Sequence, residues 1–148
     1  EALDKAWPTI CSRDSPRRET AGIVATDSNG AVIGWLKLCL APTVPKIYAR
    51  RLYRTLDCFA DKRDHTWVIA CMLTHPEHRR HGVARSLVEA SIEVARELGA
   101  QQLEALARAP EDPIQDAVLA MGPADMMQQL GFVQVAGPDS YPVLRISF

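Results

Sequence analysis

The chain has 148 residues, 47% of them apolar, so one domain can bury a core without disulfide or metal staples. Its formal net charge of −1 excludes the strongly basic balance of a nucleic-acid binder or a polybasic membrane anchor. No apolar stretch approaches the ~20 residues that cross a bilayer, and no signal-peptide pattern is visible.

Residues 1–18 are mixed and polar, and Pro8 and Pro16 break any long helix. The chain starts at Glu1 without a methionine, so its front is expected to be shortened or incomplete. Residues 20–26 read as a strand, 27–30 as a hairpin turn with Asn29-Gly30 at its tip, and 31–38 as the returning strand. Pro42 and Pro45 end it. From 46 to 59 the pattern predicts a helix, with Tyr48, Leu52, Leu56 and Phe59 on one face and Arg50, Arg51 and Arg54 away from it. Residues 61–64, Asp-Lys-Arg-Asp, read as a solvated turn.

Residues 67–73 carry no charge and no alternation, as expected of a central strand covered on both faces. Ala84, Leu87, Val88, Ser91, Ile92, Ala95 and Leu98 then recur at helical spacing, and Gly99 marks the stop. Residues 102–107 predict a second buried strand. A long segment with Pro110, Pro113, Gly122 and Pro123 leads to a short helix at about 123–130. Residues 132–135 and 143–146 close the chain as a hairpin around 137–140. The expectation is a single α/β domain over 1–148, built on a mixed sheet. Cys11, Cys39, Cys58 and Cys71 are scattered with no C-x-x-C, which points to reduced thiols and a cytoplasmic protein.

The chemistry concentrates between the central strand and its helix, in Thr74-His75-Pro76-Glu77-His78-Arg79-Arg80-His81-Gly82-Val83-Ala84-Arg85. The first amides of a helix lack internal partners and sit at the positive end of its dipole. Gly82 permits close approach to the backbone, and Arg79, Arg80 and Arg85 add full charges. That combination is a phosphate cradle. His75, His78 and His81 invite a zinc reading, but Pro76 disfavours a helix through them and the two arginines repel a divalent cation; no metal is expected. Cys71 lies mid-strand without a histidine partner, which argues against a covalent route.

Arg79-Arg80-His81-Gly82-Val83-Ala84 resembles the R-x-x-G-x-A coenzyme A pyrophosphate loop of the GNAT superfamily of N-acetyltransferases. Residues 74–79 resemble that family's V-x-P-x-x-R approach, and Gln129-Leu130-Gly131-Phe132 resembles its K-L-G-F. Together these matches cover roughly 65–148; the front resembles the family less. The resemblance implies a GNAT-like mixed β-sheet with splayed central strands and helices on both faces. It implies acetyl-CoA as acyl donor, held between strands 67–74 and 102–107. Backbone groups of Met72, Leu73 and Thr74 would pair with the pantetheine arm, and the amides from Arg80 through His81, Gly82, Val83 and Ala84 to Arg85 would hold the pyrophosphate.

Where family members often carry a tyrosine acid, this chain has Met127, and Ala120 and Met121 stand where an asparagine is often found. Tyr141, or Ser140 beside it, is the substitute candidate for the acid. Glu104, a lone charge in an apolar strand, is the candidate base, with a salt bridge or an outward position as the competing assignments. Glu111, Asp112 and Asp116 either attract a cationic acceptor or are solvated loop carboxylates. The expected activity is direct acetyl transfer to a primary amine of a small amine, a polyamine or a peptide. Two other readings stand beside it: a catalytically silent acyl-CoA-binding module, and an interaction subunit whose 46–59 helix docks on a partner or, as a homodimer, on a second copy.

Overall fold

The computed structural model describes residues 19–109 and 123–148. They form a six-stranded mixed sheet in the order β1-β2-β3-β4-β6-β5. Strands β1 (Thr20–Thr26) and β2 (Val32–Leu40) are an antiparallel hairpin. At its tip the Asp27 carboxylate accepts from the Asn29 and Ala31 amides, and Gly30 takes the left-handed conformation that closes the turn. Strand β3 (Thr66–Thr74) pairs antiparallel with β2, as befits its apolar sequence in mid-sheet.

Helix α2 (Val83–Glu97) follows and buries Val83, Leu87, Val88, Ser91, Val94 and Ala95 against one face of the sheet. It ends at Gly99, in the left-handed region: the Ala100 amide bonds the Ala95 carbonyl and the Gly99 amide that of Arg96, a paired C-terminal cap. Strand β4 (Gln102–Leu106) returns parallel to β3. The short α3 (Ala124–Gln129) joins α2 on the same face through Ala124 and Met127, and β5 (Val133–Ala136) and β6 (Val143–Ser147) complete the sheet antiparallel.

The opposite face corrects two expectations. Residues 46–59 do not form one helix: α1 covers Pro45–Tyr48, turns follow, and a 3-10 turn spans Asp57–Phe59. Arg50, Arg51 and Arg54 crowd like charges into one stretch, which helix geometry would place on adjacent turns. Packing decides instead, because Tyr48, Leu52, Tyr53, Leu56 and Phe59 gather under Leu106 and Val143 as a second apolar cluster. Nor is 61–64 wholly solvated, since the Arg63 side chain is 12% exposed and turns inward.

Candidate functional site

Strands β3 and β4 pair only along Thr66–Ile69 and Gln102–Ala105 among the described residues. Beyond that point β3 stays with β2 as far as Thr74, while β4 stays with β6 through Leu106. The two strands therefore part, leaving a wedge open toward their C-terminal ends. A bulge in the β2–β3 register falls at Ala70, at the bottom of that wedge. Met72 is buried in the core, Leu73 is 56% exposed and Thr74 is half-buried, so these three form one edge of the opening.

The loop joining β3 to α2 lies at the mouth of the wedge. A 3-10 turn over Pro76–His78 begins it, with the His75 ring nitrogen accepting from the Glu77 amide. Arg80 (φ 62°) and Gly82 (φ 83°) are both left-handed. Such alternation gathers successive N–H groups into an anion-binding concavity, and α2 starts from it. Gly82 has no side chain with which to cap the amides of Val83, Ala84 and Arg85. The guanidinium of Arg79 donates to the Thr74 carbonyl at 3.4 Å, and Arg85 reaches Gln129 at 3.0 Å and Glu89 at 3.4 Å. Gly34 on β2 makes the approach of α2 possible: a Cβ there would lie 2.7 Å from Val83 Cγ1 and 3.1 Å from Leu87 Cδ1.

Glu104 is fully buried on the face away from α2, one position before the last β3–β4 pair. Arg63 and Arg145 both donate to its Oε1, the latter at 3.4 Å, while its Oε2 has no hydrogen-bond partner among the described residues. Arg145 also donates to the Cys58 carbonyl at 3.1 Å. The Arg63 guanidinium lies 4.2 Å from the Tyr48 ring centre and 4.7 Å from that of Phe59. Burial pushes the Glu104 carboxyl above the ordinary carboxylate range, with Arg63 and Arg145 pulling it back. Neither arginine was anticipated as its partner. The available signal was that a charge inside an apolar strand demands a counter-charge, which Arg145 supplies from the facing position of β6.

Tyr141 stands in the β5–β6 connection at the C-terminal end of β4, where Ala107 bonds the Pro142 carbonyl and Ala109 that of Ser140. Arg108 lies over its ring at 5.4 Å. Glu104 and Tyr141 are thus on β4 and just past its end. Met127 is fully buried in the core. Ala120, Met121, Glu111, Asp112 and Asp116 lie outside the described residues.

An open groove of 620 Å³ runs along residues 41–63, with Pro42, Pro45, Tyr48, Leu56, Phe59 and Arg63 among its walls. Its charged lining is balanced, Arg54 and Arg63 against Asp57 and Asp61.

A sequence model of the acetyltransferase (GNAT) family matches residues 1–121. That match takes in the front half of the chain, which the loop motif alone did not reach, and stops short of Gln129–Phe132. A GCN5-related N-acetyltransferase from Kribbella flavida superposes with a TM-score of 0.58 at 19% identity, over 93% of this chain and 71% of that one. The spermidine/spermine N-acetyltransferase SpeG of Vibrio cholerae gives 0.54 at 18%, over 88% and 68%. The GNAT family N-acetyltransferase YhbS of Escherichia coli, solved in complex with CoA, gives 0.55 at 17%, over 86% and 58%. The chain thus spans between 58% and 71% of the lengths of these three structures. At such identities the likeness is one of fold. A search of curated proteins finds no match.

Proposed function

Because the chain belongs to the acetyltransferase (GNAT) family, we propose that it transfers an acetyl group directly from acetyl-CoA to a primary amine. The observation that carries this reading is the wedge between β3 and β4 with a helix start at its mouth that opens on left-handed Gly82 and has no side-chain cap. Pantetheine has the length and the amide groups to pair with the edge at Met72, Leu73 and Thr74. The pyrophosphate then meets the amides from Arg80 to Arg85 and the positive end of α2, with Arg79 and Arg80 supplying charge. The E. coli relative, solved with CoA, makes that ligand the natural choice.

Transfer requires the amine to lose a proton and the departing thiolate to gain one. Glu104 is the proton acceptor: burial raises its affinity for a proton, and Oε2 is available for one among the described residues. Tyr141, at the end of β4 under Arg108, is the group that protonates the thiolate. The turns over 45–60 build the acceptor side, on the sheet face that carries Glu104.

Calorimetric titration with acetyl-CoA, dephospho-CoA and ATP tests the donor. Selective micromolar binding of acetyl-CoA is expected; equal binding of ATP would sink the assignment. Replacing Arg79 and Arg80 together with alanine should weaken CoA binding at least tenfold, about 1.4 kcal/mol, while leaving a pantetheine fragment nearly unaffected. One observation favours a second reading, a silent acyl-CoA-binding module. Met127, where family members often carry the acid, is buried in the core. Release of free thiol from acetyl-CoA in the presence of an amine panel separates the two.

A further inference from the structure

The 41–63 groove has the size of a small-molecule site, and three rings shape it. Tyr48 and Tyr53 both meet Phe59 edge to face, at 4.9 Å and 6.2 Å between ring centres. Pro42, Pro45 and Leu56 extend the apolar walls. Tyr53 also closes the groove inward, because it packs with Leu106 and Val143. Leu106 is the first residue of β4 beyond its pairing with β3, which ends at Ala105. The groove therefore ends where the two strands part, at the wedge that the acetyl-transfer reading fills with the donor.

Building on that reading, we propose that the acceptor is a monoamine on an aromatic or compact apolar body, held by the groove while its nitrogen enters the wedge. Two independent features select it. The first is the rings. Arg63 already lies against Tyr48 and Phe59, its guanidinium 4.2 Å and 4.7 Å from their centres. These rings have their cation within the chain itself, so they offer a ligand apolar contact rather than a cage for an ammonium. An uncharged ring buried there gains contact without taking a charge out of water.

The second feature is charge. The groove's own lining balances, but the stretch that builds it does not. Over 45–63, Lys46, Arg50, Arg51, Arg54, Lys62 and Arg63 stand against Asp57 and Asp61. That is an excess of four positive charges in a chain whose formal net charge is −1. All of these cations except Arg63 are exposed, so their field extends over the groove mouth. A polyamine meets that repulsion at every ammonium group along its length. A monoamine meets it once, and its apolar body offsets it.

The test measures thiol release from acetyl-CoA with 2-phenylethylamine, ethylamine and spermidine, on the parent protein and on Ala60→Trp. Ala60 is exposed on the groove wall, so a larger side chain there fills the groove without entering the core. We expect kcat/KM for 2-phenylethylamine to exceed the values for ethylamine and spermidine by about tenfold or more. In Ala60→Trp the KM for 2-phenylethylamine should rise about tenfold, with the KM values for ethylamine and acetyl-CoA unchanged. Ethylamine, spermidine or any other amine lacking an apolar body, acetylated as well as 2-phenylethylamine or better, overturns the proposal and leaves acetyl transfer standing. So does a KM for 2-phenylethylamine that Ala60→Trp does not move. A parent protein that binds acetyl-CoA yet releases thiol with none of these amines, nor with any other tested, overturns the transfer reading and the acceptor class with it.

Discussion

At Glu104 one carboxylate serves two arginines through a single oxygen. Its folded pKa lies above its unfolded value because desolvation outweighs both guanidinium charges. The ionised form is therefore the costlier one in the folded state. Two substitutions should consequently part company. Glu104→Gln keeps an acceptor for Arg63 and Arg145 and should leave the fold nearly as stable, while removing the base and lowering turnover of ammonium acceptors by about 10²-fold or more. Glu104→Ala removes the acceptor as well, stranding two buried guanidinium groups, and should cost about 3–5 kcal/mol by urea denaturation. The sign of the pH dependence follows from the raised pKa. The folded chain binds this proton more tightly than the unfolded one, so the resulting stability is fully present below the ordinary carboxylate pKa. It is lost as pH rises through the folded value. Unfolding free energies of the parent and Glu104→Gln, measured across that interval, should diverge with the parent losing ground as pH rises.

Among the elements, the start of α2 depends on a residue remote in sequence. Gly34 leaves room that Val83 and Leu87 fill, so Gly34→Ala forces the helix start away from β2. We expect a cost of about 1–3 kcal/mol and a weaker grip on acetyl-CoA, because the amides of Val83 and Ala84 move with the helix. Thermal denaturation and calorimetry on the same variant check both effects. That dependence also shows what a sequence can and cannot disclose. Helix α2, its glycine stop, the central strand and the hairpin turn at Asn29-Gly30 are written in local periodicity and turn chemistry, and they were legible. The 46–59 stretch carries a helical pattern too, yet its apolar residues reach the sheet through turns, since the pattern records what must be buried and not by which backbone path. Glu104 stood out as a charge among apolar neighbours. Arg63 and Arg145, each 41 residues away, did not, because only the closed sheet brings them together.

For the molecule as a whole, the sheet has two parts. Strands β1, β2 and β3 carry α2; α3 packs on β6; the join between the two parts is the parallel pairing of Thr66–Ile69 with Gln102–Ala105. A ligand that fills the wedge spans both parts and binds the folded state alone, so acetyl-CoA at one hundred times its Kd should add about 2.7 kcal/mol to unfolding, read as a rise in Tm. The shortness of that parallel pairing has a mechanical consequence. It is a seam, and tension applied across it has few bonds to shear, arranged so that they yield one after another from the open end. Pulled apart through handles on β2 and β6, the protein should tear first along this line, leaving two intact sheet fragments. With acetyl-CoA in place the same line becomes a sutured joint, and the rupture force should climb.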